Sequence, residues 1–145
     1  MIETEILQPV VALAAWTMVM WLWMYVVRLP AMKAAKVDIN KLANDGTVTL
    51  DDLLPAKAQW PAKNYNHLHE APTVFYAVCL ILALTGNGGG HGSEIAWAYV
   101  GLRVLHSLVQ ASINRINLRF ILFALSTTCL AALVYRAGQV VFMAV

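Results

Sequence analysis

The apolar positions of this chain fall in long uninterrupted blocks, not in the strict alternation of half-buried strands. No charged residue occurs between Ile6 and Val27. A helix rises about 1.5 Å per residue and needs about 20 mostly apolar residues to cross the hydrocarbon of a bilayer. The block therefore predicts a membrane-crossing helix over residues 5–28. Trp21, Trp23 and Tyr25 near its end suit the interfacial belt where amphipathic rings collect. Further apolar blocks predict spans at about 65–86, 95–113 and 118–137. Between the first two, residues 29–64 read as a polar loop broken by Pro30, Pro55, Pro61 and the Asp45-Gly46 turn signal, with Asp51-Asp52 able to open a short helix. The run from Gly86 to Gly92 lacks the GK[ST] ending of a phosphate loop and follows no strand, so it reads as a flexible connection. Asn114–Asn117 form a short polar turn.

The 145-residue length gives a single domain, residues 1–145, and composition sharpens its class. Apolar residues make up 60% and charged residues 12%, where soluble domains carry about 25% charged residues. The expected fold is all-α, an integral membrane four-helix bundle whose surroundings are membrane lipid. The net charge of +2, with no basic stripe interleaved with aromatics, excludes a nucleic-acid partner. Cys79 and Cys129 lie inside apolar blocks with no zinc spacing, and no metal site is expected. Glu3 and Glu5 precede the first block where a signal peptide has basic residues, so that block reads as a retained span. Arg28, Lys33, Lys36, Lys41, Lys57 and Lys63 fall in or beside the 29–64 loop, and Arg115 and Arg119 near the 114–117 turn. The positive-inside rule makes both connections cytoplasmic and both termini external, with Arg136 against the trend.

Polar residues inside spans carry the functional signal. An ionised side chain at a helix centre costs about 2.5–3.5 kcal/mol on insertion scales, so such residues turn toward protein or water. Arg103, His106 and Gln110 are spaced i, i+3, i+7 and share one face, which Asn114 extends. Asn66 and Glu70, spaced i, i+4, share a face of the second span. A direct Glu70–Arg103 ion pair between the two spans would neutralise both charges. The bland alternative is that such a pair only fixes helix register. His67 and His69 read as interfacial, and Arg119 on position alone as an anchor with its head at the surface.

Two stretches carry a family resemblance. One is Asn64-Tyr-Asn-His-Leu-His-Glu70-Ala-Pro72-Thr-Val-Phe75-Tyr76, with its E-x-P-x-x-F-Y run. The other is Arg103-Val-Leu-His106-Ser107, followed by Asn114, Arg119 and Phe123. Together they resemble the membrane-associated proteins in eicosanoid and glutathione metabolism, the MAPEG family, and its bacterial members in particular. The resemblance covers most of residues 5–137.

The resemblance implies a homotrimer of four-helix bundles in the bacterial inner membrane. It implies glutathione held between neighbouring subunits on the cytoplasmic side, and a lipophilic small molecule as second substrate. By position, Glu70 and Arg103 match the acidic and basic residues that contact glutathione, His106 a pocket histidine, and Arg119 the arginine credited with activating the thiol. Asn66, Glu70, Arg103, His106 and Gln110 are the expected thiol-binding residues and Arg119 the catalytic one. Gln110 and Phe123 stand where eukaryotic members have tyrosines, Phe120 where they have serine, and His67 where they have asparagine. Phe120 and Phe123 donate no hydrogen bond, which favours a second reading, a non-catalytic lipid-binding or scaffold member. A third reading is a haem-carrying bundle using His106 and another histidine.

Overall fold

The structure, a computed structural model, describes residues 1–143. Residues 144–145 of the expected domain lie outside the described residues. All secondary structure among the described residues is helical: α1 (Leu7–Ala34), α2 (Ile39–Asn44), α3 (Leu50–Leu53), α4 (Ala56–His67), α5 (Ala71–Leu84), α6 (His91–Ser112) and α7 (Ile116–Met143).

The helix boundaries follow local chemistry. Pro9 sits in the first turn of α1, where N–H groups lack intrahelical partners in any case. The 29–64 region is more helical than a polar loop. α1 runs through Pro30 to Ala34, and α4 begins at Ala56, just after Pro55. The short helix opened by Asp51-Asp52 is α3, whose N-terminus carries a capping box. The Thr49 hydroxyl and backbone N–H both donate to the Asp52 carboxylate, at 2.7 and 2.8 Å. α6 ends in a turn whose residue Asn114 adopts φ 48°, a left-handed conformation asparagine tolerates. The Asn114 N–H closes this turn on the Val109 carbonyl at 2.7 Å.

The second apolar stretch is broken. Pro72 has no N–H to offer the Leu68 carbonyl, and its ring would clash with that carbonyl in a continuous helix. The chain turns through residues 68–70 and restarts as α5 with Glu70 at its N-cap.

α6 packs most extensively on α7 and also meets α1 and α4. α1 lies against α4 and α5, and α5 against α7. Leu13 and Met20 of α1, Phe75, Cys79 and Leu82 of α5, Tyr99 of α6 and Leu133 of α7 form the core. Within it the Phe75 and Tyr99 rings stack at 4.5 Å. The outside is as apolar as the inside: Val11, Leu22 and Val26 of α1 and Phe120 and Phe142 of α7 are all exposed. Such a surface suits lipid, not water.

Among the described residues, the stretches Leu7–Ala34, Ala56–Leu84 and Ile116–Met143 are long and apolar enough to cross a membrane. α6, with 22 residues, has the length, about 33 Å at 1.5 Å per residue. Its Glu94, Arg103, His106 and Gln110 make it too polar to qualify on composition.

At the end remote from the 114–117 turn, the N-terminal tail closes on the glycine-rich connection. The Glu3 N–H donates to the Ala83 carbonyl at 2.9 Å, and the Gly90 N–H to the Glu5 carboxylate at 3.3 Å. A Cβ at Gly88 would stand 2.5 Å from Cγ2 of the buried Ile6. The connection is thus in close contact with the tail, and glycine is needed there for space.

Candidate functional site

Along α6 the buried positions include Tyr99, Arg103, His106, Ser107 and Gln110, one continuous face at helical spacing. Arg103 is 1% exposed. Its guanidinium lies 5.3 Å from the Tyr99 ring centroid and 5.2 Å from that of Phe123, in cation–π range of both. Among the described residues no carboxylate stands within ion-pair distance of it.

The direct Glu70–Arg103 pair is therefore absent, and His67 stands between the two residues. Its Nδ1 lies 2.8 Å from Glu70 Oε2 and its Nε2 3.3 Å from Arg103 Nη1. The physical reason is the break at Pro72, which carries Glu70 outward, leaving its side chain 67% exposed while that of His67 is 21% exposed. The contacts also fix the tautomer of neutral His67. A guanidinium donates only, so Nε2 must accept, and Nδ1 then carries the proton given to Glu70.

His67 differs from His69 in packing inward. Its ring packs 5.1 Å from His106 and 5.8 Å from Phe123, centroid to centroid. His69 is exposed, with its Nδ1 2.8 Å from the Tyr65 carbonyl oxygen.

Asn66 is also exposed, and it forms no side-chain hydrogen bond to this cluster. The buried asparagine is Asn64, 0% exposed, which donates from Nδ2 to Gln110 Oε1 at 3.0 Å. His106 Nδ1 donates to the Arg119 backbone carbonyl at 3.1 Å, which leaves Nε2 as the lone-pair nitrogen. Arg119 donates from Nη1 to Asn114 Oδ1 at 2.7 Å, so the left-handed turn residue holds the arginine at the start of α7. The structure thus brings Arg103, His106, Gln110 and Arg119 to one region. It leaves Asn66 outside, ties Glu70 in only through His67, and adds Asn64 and His67.

Several polar atoms here are buried without a hydrogen-bond partner: Asn64 Oδ1, Arg103 Nε and Nη2, His106 Nε2, Ser107 Oγ and Arg119 Nε. More than nine in ten buried polar groups in native proteins are paired, and an unpaired one costs about 1–3 kcal/mol. Contributed by α4, α6 and α7 and gathered around a cation without a carboxylate partner, these atoms suit a polar anionic group. Away from the cluster, a cavity of about 890 Å³ lies between the end of α1 and α3, lined by residues such as Lys36, Lys41 and Leu53. An apolar groove of about 630 Å³ runs between α1 and α6, past Trp16, Val19, Trp97 and Leu105. Among the described residues no group of three His, Cys, Asp or Glu side chains is placed to hold a metal ion.

Helices of membrane-crossing length, an apolar exterior and a buried polar cluster define a helical membrane protein with a polar site inside. Residues 6–139 match the family model of the MAPEG family, and the chain belongs to that family. No curated protein and no solved structure matches it. Members of the family generally use glutathione.

Proposed function

We propose that this chain is a membrane-embedded thiol transferase or peroxidase that uses glutathione or a related thiol against lipophilic electrophiles. One observation carries the reading: the buried Arg103 guanidinium has no carboxylate beside it and has two donor nitrogens without partners. An uncompensated buried cation is costly, and an anionic ligand relieves that cost. Glutathione supplies carboxylates and, when ionised, a thiolate.

The chemistry needs little else. A thiol has an ordinary pKa of about 8.5, the thiolate is the nucleophile, and a fixed cation nearby favours ionisation. Arg119, always charged and held by Asn114, is the residue assigned to stabilise the thiolate. Arg103, His106 and Gln110, with Asn64 in place of Asn66, shape the thiol site, and Glu70 acts through His67. An apolar second substrate arrives through the lipid.

In this reading α1, α4–α5, α6 and α7 form a four-crossing bundle, and α6 crosses because its polar face is turned inward. Three such bundles assemble so that the thiol sits between neighbours. The basic 29–64 region and the 114–117 turn face the cytoplasm and both termini the opposite side.

Calorimetric titration of the purified protein with glutathione tests the reading. Saturable binding is expected, and Arg119→Ala is expected to keep binding but lose the ultraviolet absorbance of the bound thiolate. Absence of binding by wild type overturns it. The exposed Phe120 and the apolar Phe123 favour a second reading, a lipid-binding or scaffold protein without turnover. Intact oligomers that bind no thiol and turn over no electrophile would establish that one.

A further inference from the structure

We infer that His67 is the proton acceptor for the thiol: it takes the S–H proton at Nε2 and passes its charge toward the exposed Glu70 carboxylate. This rests on the thiol reading above. Among the described residues, His67 is the one side chain that touches both the buried Arg103 and a solvent-facing carboxylate, at 3.3 and 2.8 Å. Its orientation is fixed from two sides, by Glu70 at Nδ1 and by the His106 and Phe123 rings against its plane. A carboxylate on one ring nitrogen and a lone pair aimed at a buried cation is the arrangement of an oriented base.

The step balances. In the free protein Arg103 Nη1 donates to His67 Nε2. When a thiol enters, its S–H bond breaks, an Nε2–H bond forms, and the electron pair stays on sulfur. Arg103 Nη1 turns its hydrogen from Nε2 to the new thiolate, which it stabilises together with Arg119, so no donor is left facing a protonated nitrogen. The imidazolium is then stabilised by the Glu70 carboxylate.

The charged and titratable groups around His67 decide between it and its neighbour. Glu70 faces it from the start of α5 and Arg103 and His106 from α6, while from α7 the Arg119 backbone carbonyl holds His106. Lys63, one turn back on α4, is turned to Asp51 at 3.9 Å. His106 also offers a lone pair, but its other nitrogen meets only a neutral carbonyl. A buried imidazolium there would stand among guanidinium groups with no carboxylate to offset it. His67, with the carboxylate beside it, is therefore the better placed acceptor.

The test counts protons. Full-length protein in detergent is titrated with glutathione at a pH between the ordinary values of imidazole, about 6.5, and thiol, about 8.5. Calorimetry in buffers of different ionisation heat gives protons released, and ultraviolet absorbance gives thiolates formed. Wild type is expected to release clearly fewer protons than thiolates formed. His67→Gln keeps an acceptor for Arg103 but takes no proton, so its release should rise to about one per thiolate. Glu70→Gln, at an exposed position that spares the core, should raise release in the same direction and decides the matter if His67→Gln does not fold. Equal release per thiolate in wild type and the folded variants overturns the role of His67 alone. Failure of wild type to bind glutathione overturns the thiol reading and this inference with it.

Discussion

At the residue scale, the cluster separates side chains that look alike in the sequence. Asn64 and Asn66 are two positions apart, yet only Asn64 is buried and paired, through Gln110. Asn64→Ala strips a partner from a buried amide and is expected to cost about 1–3 kcal/mol, read as a lower unfolding midpoint in detergent. Asn66→Ala should stay within about 0.5 kcal/mol in the same measurement. Glu70→Gln should likewise leave folding nearly unchanged, because Glu70 does not neutralise Arg103 directly. A large loss of folded protein in that variant would restore the direct pair. The Arg103–His106–Gln110 face was legible because all three lie on one uninterrupted helix, where spacing maps directly onto direction. The roles of Asn64 and His67 were not, because reading Asn66 with Glu70 assumed a continuous helix through residues 68–70. Pro72 was the available signal: a proline two residues after Glu70 changes the angular relation between the helical segments on its two sides.

At the element scale, each connection has its own chemistry. Asp52 accepts from the Thr49 hydroxyl and, second, from the Thr49 N–H, and these bonds hold its carboxyl below the usual value of 3.8. A depressed folded pKa gives stabilisation that is present above the unfolded value and disappears as pH falls through the folded one. The protection factors of α3 amides, corrected for intrinsic exchange, should therefore fall on acidification below about pH 4, and Asp52→Asn should remove that fall. The glycine-rich connection is not simply a flexible linker. Gly88→Ala drives a methyl into Ile6 and is expected to cost about 1–3 kcal/mol, whereas Gly46→Ala meets nothing within 4 Å and should not destabilise. Comparing the two unfolding midpoints checks the contact. The tail contact is invisible in sequence, since residues 1–6 and 86–90 show no pattern that pairs them. The helical content of 29–64 was hidden for another reason. Its helices are short, proline-punctuated and polar, and their hydrophobic periodicity is weak.

At the scale of the whole molecule, the surface inverts the rule for soluble proteins. Val19, exposed in the middle of α1, would tolerate aspartate on a water-facing helix. Here Val19→Asp is expected to oppose insertion by roughly 2.5–3.5 kcal/mol and to lower the yield of membrane-extracted protein. Unchanged yield would argue that this face does not meet lipid. The polarity of α6 bears on biogenesis. A nascent α6 alone carries Arg103 with no neighbour to shelter it, and lipid would reject it. Only the short 113–115 turn separates it from α7, on which it packs most extensively. In the proposed four-crossing bundle the ribosome would have to extend well into α7 before α6 has a stable place to go, and the two should leave the translocon as a hairpin. Truncating the nascent chain before α7 should then leave α6 outside the bilayer, the result expected where a later-made helix determines the placement of the one synthesised before it.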